Sequence, residues 1–115
     1  MFEQVFKKLH ETNPEIRCIG VWGKDGLELE RMVFADFALD LDLLGAQIAD
    51  IVNKFDGLKL DAQHCSIRMD QDNYYLAVFS LTRDYFMVVV ADPTIIPGRL
   101  QFYLDMQRAP IHRML

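Results

Sequence analysis

The chain has 115 residues, 51% of them hydrophobic and 25% charged, with a formal net charge of −5. That length fits one domain burying roughly two thirds of the surface it exposes when unfolded, and the composition excludes a disordered chain. The acidic balance, with no clustered run of Lys and Arg, excludes a nucleic-acid surface, because phosphate contact needs concentrated positive charge. Residues 1–10 show no basic start leading into an apolar stretch, and no run is long enough to span a bilayer. Neither a secretory signal nor a membrane span is expected, and a cytoplasmic location follows by default.

In chain order, Phe2, Val5, Phe6 and Leu9 recur at helical spacing with Glu3, Lys7, Lys8 and Glu11 opposite, which predicts an amphipathic helix ended by Asn13 and Pro14. Residues 16–22 read as a strand. Lys24, Asp25 and Gly26 then supply a turn, and Leu27 and Leu29 alternate with Glu28 and Glu30 in a second strand reaching about Phe34. Its glutamates predict a solvated face or a sheet edge, where charge discourages pairing with foreign chains.

The longest periodic segment is 39–55, a helix whose stripe is Leu41, Leu44, Ile48, Ile51, Val52 and Phe55. Asp36 or Asp40 would cap its start, and Asp56 and Gly57 end it. Gly45, Ala46 and Ala49 lower its helix propensity at the glycine and invite a close neighbour, either its own sheet or the helix of a second subunit. A strand is predicted over 63–69, with Cys65, Ile67 and Met69 on one face and His64, Ser66 and Arg68 on the other. The cluster 70–73 is a turn, 74–81 another apolar strand, and 82–84 a turn.

Tyr85–Ala91 is apolar on both alternating sets of positions, so both faces must be covered, as in the central strand of a sheet with helices on each side. Asp92 and Pro93 break the sheet. A last amphipathic helix is predicted over 99–108, ending before Pro110.

The residue inventory supplies no catalytic constellation. Ser66 and Ser80 lie mid-strand, and His10, His64 and His112 are scattered. Neither phosphate-binding loop pattern occurs, so no nucleotide cofactor is expected. Cys18 and Cys65 read as buried reduced thiols, and the Cys and His spacings hold no metal. Arg83 in a turn and Arg99 at a helix start read as solvated charges.

Ile19-Gly20-Val21 leading to Lys24-Asp25-Gly26-Leu27-Glu28-Leu29, then Tyr85-Phe86-Met87-Val88-Val89-Val90, then Pro97-Gly98-Arg99-Leu100 resemble the roadblock, or dynein light-chain and gliding-motility regulator, family over nearly the whole chain. Trp22 departs from it, being bulkier than the residue usual there. The resemblance implies an α+β fold: a five-stranded antiparallel sheet in the order two, one, five, four, three with helices on both faces. It also implies a non-catalytic homodimer that regulates or scaffolds a Ras-like small GTPase, with no cofactor. The expected dimer interface is Gly45, Ala46, Ala49, His64, Ser66 and Arg68, and the expected GTPase contacts are Asp40, Leu43, Gln47, Asp50 and Lys54. Two other readings stand beside it. One is a small-molecule sensor whose pocket Trp22, Tyr74, Tyr75, Phe79 and Phe86 would line; the other is a structural subunit of a larger assembly.

Overall fold

A computed structural model of the chain describes residues 1–36, 38–58, 66–70 and 72–115. Its elements are α1 (Glu3–Thr12), β1 (Ile16–Gly23), β2 (Glu28–Val33), α2 (Leu41–Asp56), β3 (Ser66–Asp70), β4 (Tyr75–Ser80), β5 (Tyr85–Ala91) and α3 (Pro97–Met114). The five strands form one antiparallel sheet in the order β2-β1-β5-β4-β3. The doubly apolar run therefore sits in the middle, as its pattern requires.

Each face of β5 closes a separate core. Met87, Val89 and Ala91 pack with Ile19, Val21, Tyr75, Ala77 and Phe79 beneath α1 and α3, which supply Val5, Phe6, Leu9, Leu100, Leu104 and Ile111. Phe86, Val88 and Val90 pack with Cys18, Trp22, Leu76 and Val78 beneath α2, which supplies Leu41, Ile48, Ala49 and Val52. Each large apolar side chain, fully withdrawn from water, contributes on the order of 1.5–3 kcal/mol before the entropy of ordering it is subtracted.

A register shift between Ile16 and Cys18 against β5 puts Ile16 and Ile19 on the same face despite their odd spacing. Arg17, between them, reaches the end of the sheet instead: Nε donates to Asp92 Oδ1 at 2.8 Å and Nη1 to the carbonyl of Asp36 at 2.8 Å. A second tie joins α1, β1 and α3. Arg99 Nε donates to the side chain of the fully buried Asn13 at 3.1 Å, and Arg99 Nη2 donates to Glu15 Oε1 at 2.7 Å. Arg99 is thus a half-buried cross-brace and not a solvated charge. Burial would raise the Glu15 carboxyl, but the Arg99 hydrogen bond and charge, with the residue's own backbone N–H, hold it below its ordinary value.

β2 is an outermost strand, the sheet edge that its glutamates offer as one of two placements, and there the Glu30 carboxylate accepts from the amino terminus at 2.9 Å and from the Phe2 N–H at 2.8 Å, satisfying donors at the start of α1. Two expectations change. The last helix does not stop before Pro110. It runs to Met114, because the fully buried Ile111 anchors the final turn and offsets the one backbone hydrogen bond a proline forgoes. The apolar stripe of α2 is also rotated from its predicted position. Leu41, Gly45, Ile48, Ala49 and Val52 face the sheet, leaving Ile51 39% and Phe55 47% exposed.

Candidate functional site: the α2 face and the β3 edge

The rotation of α2 has a local cause. The indole of Trp22 lies over Gly20 on its own strand and against Gly45 above, and a Cβ at either glycine would overlap the ring. The bulky residue on β1 and the absent side chain on α2 form a matched pair, which turns the small-residue side of the helix inward. Cys18 lies in the same core, where burial pushes its thiol up to about 11.

The start of α2 is fixed by Asp40, whose Oδ1 accepts from the N–H groups of Asp42 at 3.1 Å and Leu43 at 3.2 Å. One flank is tied to the β1–β2 hairpin. Asn53 Nδ2 donates to the carbonyl of Lys24 at 2.8 Å, Lys24 pairs with Asp56, and Arg31 meets Asp42 at 3.5 Å. Between this flank and the hairpin tip lies an open groove of ≈ 400 Å³, lined by Lys24, Asp25, Gly26, Ala46, Gln47, Ala49, Asp50 and Asn53. Gly26 has φ 88, the left-handed conformation the turn needs and a side chain resists.

The residues named from sequence are distributed as follows. Asp40, Leu43, Gln47, Asp50 and Lys54 are all exposed, and Leu43 is the apolar member at 55%. Asp50 and Lys54 approach to 3.7 Å along the helix, a surface pair that contributes little. Gly45 and Ala49 are buried against their own sheet, Ala46 is exposed at the groove, and Ser66 and Arg68 are exposed on β3. His64 lies outside the described residues, as does Cys65. The five aromatics considered for a ligand pocket do not converge: Tyr75 and Phe79 belong to the core under α1 and α3, while Trp22, Phe86 and Tyr74 belong to the core under α2. Among the described residues no group of three or more His, Cys, Asp or Glu could hold a metal ion, and no helix is long and apolar enough to cross a membrane.

Sequence reasoning missed the flank of α2 that faces away from the hairpin. Leu44, Ile51 and Phe55 lie along it at steps of seven and four, and Leu58, just past the end of the helix, is 61% exposed. Apolar residues spaced in this way suit packing against another helix. The sequence carries the spacing openly, but the same residues read equally well as core.

Solved structures share the architecture. The gliding protein MglB of Thermus thermophilus superposes with a TM-score of 0.78 at 18% identity, covering 97% of this chain and 88% of that one. The Roadblock/LC7 domain of Streptomyces avermitilis gives 0.75 at 15% identity, covering 94% and 92%. The chain has the Roadblock/LC7 fold. An MglB described with a tetrameric arrangement gives 0.77 at 19% identity, covering 97% and 88%. Neither a family model nor a curated protein matches the sequence. At these identities the likeness defines the Roadblock/LC7 fold, and function has to be argued from the surface of α2 and the edge of the sheet.

Proposed function

We propose that this Roadblock/LC7 chain is a non-catalytic module that pairs with a second copy of itself and regulates or scaffolds a Ras-like small GTPase. The observation that carries the reading is the division of labour around α2. Its inner side is committed to the sheet through Trp22, Ile48 and Val52. The flank away from the hairpin leaves Ile51, Phe55 and Leu58 exposed, an apolar strip suited to packing against a second copy. The outward side carries Leu43 among Asp40, Gln47, Asp50 and Lys54, an apolar anchor in a charged setting of the kind protein interfaces use. The structural likeness to gliding protein MglB and to a Roadblock/LC7 domain supports the reading at the level of the fold, and the MglB with a tetrameric arrangement is consistent with self-assembly. A regulator of this sort acts by holding the GTPase in a conformation it already visits, so it needs no chemistry of its own.

Two helices brought together across a two-fold axis form one composite surface, giving one GTPase per pair of chains. Titration of a Ras-like GTPase from the same cell, loaded with either nucleotide, into wild type and a Leu43→Ala/Asp50→Lys variant tests this. Weakened binding in the variant is expected. Unchanged binding moves the contact off α2, and no binding to any such GTPase leaves the structural-subunit reading.

A further inference from the structure

The pairing proposed above can be taken to the level of register, because β3 is an outermost strand and its side chains are polar and charged on one face only. Ser66, Arg68 and Asp70 oppose Phe79, Ala77 and Tyr75 of β4, which places them on the α3 side. Arg68 agrees with that placement by donating to Gln101 Oε1 of α3 at 3.2 Å. Ile67 packs with the α2-side core, and Met69 follows it on that face, 43% exposed.

If two copies of β3 join antiparallel in one continuous sheet, the two-fold axis stands perpendicular to that sheet. Directly opposed residues then lie on the same face, so the axis must pass beside a single residue of each chain and never between two neighbours. That leaves a short choice, decided by charge. An axis at Arg68 sets two guanidiniums directly against each other, and an axis at Asp70 does the same with two carboxylates. An axis at Ser66 or Ile67 sets no opposite charges together among the described residues. An axis at Met69 alone places Arg68 of each chain opposite Asp70 of its twin, twice, on the α3 face, with the two methionines meeting on the other. Opposite charges across a ladder stabilise it and like charges directly opposed destabilise it. Asp70 makes no ion pair among the described residues of its own chain, so its carboxylate has this role open to it.

We propose that β3 pairs with its twin about a two-fold axis at Met69, held in register by reciprocal Arg68–Asp70 ion pairs between subunits. The inference rests on the self-pairing reading and adds to it which residues meet.

Charge variants test it. Arg68→Asp and Asp70→Arg each turn both attractions into repulsions, so each variant alone should dimerise about tenfold or more weakly by sedimentation. Mixing the two variants should restore dimers to well above the affinity of either alone. Only in the heterodimer does one side of the axis carry two carboxylates of one chain and the other two guanidiniums, so that each facing pair is again of opposite sign. The mixture leaves each chain's internal charges as they were, so recovery reports the contact between subunits. A second measurement does not depend on charge: in a Cys65→Ser background, Met69→Cys should form a disulfide-linked dimer under mild oxidation far faster than Ile67→Cys or Arg68→Cys, since directly opposed residues lie within disulfide reach. Fastest crosslinking at 67 or 68, or dimers that survive both charge variants, overturns the register while leaving self-pairing intact. A wild-type chain that stays monomeric at micromolar concentration overturns both.

Discussion

Replacing Gly45 with alanine tests the matched pair under α2. In an ordinary helix interior this exchange would stabilise by about 1 kcal/mol, because glycine forfeits that much helix propensity. Here the new Cβ would overlap the indole of Trp22, which is itself wedged over Gly20 and only 2% exposed, so the ring has nowhere to retreat. Overpacking of that kind costs about 1–3 kcal/mol, leaving a net loss of about 1 kcal/mol and a melting temperature lower by about 4 °C for a domain of this size. Trp22→Leu removes the obstacle. In that background the same Gly45→Ala change should stabilise by up to about 1 kcal/mol, so the cycle of four proteins should show a coupling of about 2 kcal/mol with a change of sign. Urea unfolding at one fixed protein concentration is the assay, since self-association would otherwise shift the midpoints. Equal effects of Gly45→Ala in both backgrounds would refute the idea that the tryptophan dictates the glycine.

Two further expectations concern ionisable groups. Glu15 is held below its ordinary value of 4.5 in the folded chain, so it contributes stability that is complete above that value and disappears as pH falls through the lower folded one. The stability gap between wild type and Glu15→Gln should therefore be constant near neutrality and shrink below about pH 4.5, and a gap that widened on acidification would contradict the Arg99 pairing. Burial and a thiol pushed up to about 11 leave Cys18 without thiolate near pH 8. Thiol labelling of a Cys65→Ser variant should then be slow in the native state and rapid in urea, and fast native labelling would show that the α2-side core opens.

Much of the architecture is legible in the sequence because strand burial leaves a direct trace. The doubly apolar Tyr85–Ala91 run announces a covered central strand, and Asp40, one of two candidate caps, does cap α2. The strand order is a different matter, since it comes from resemblance and not from periodicity. Helix faces are less readable for a physical reason: a pattern of apolar residues says that a side must be covered but not by what. Ile51 and Phe55 read as part of the chain's own core, yet Gly45 and Ala49 occupy that side, because a tryptophan one layer below needs room that small residues provide. Arg99 escapes sequence reading for a related reason. Its partners Asn13 and Glu15 are more than eighty residues away in sequence, and no local spacing reveals a cross-brace closed by the fold.

The placement of β5 in the sheet also bears on how the chain is made. Its neighbours β1 and β4 come from two separate hairpins, and Ile16 finds its partner Ala91 only after 75 further residues have been added. Until then a growing chain carries two short ribbons, each with one apolar edge awaiting the same missing strand. Isolated ribbons of that size are marginal in water, so assembly is deferred until the last strand emerges and then closes both sides together. A chain interrupted before residue 85 would keep both sticky edges and no means of covering them, which makes β5 the element on which successful biosynthesis turns.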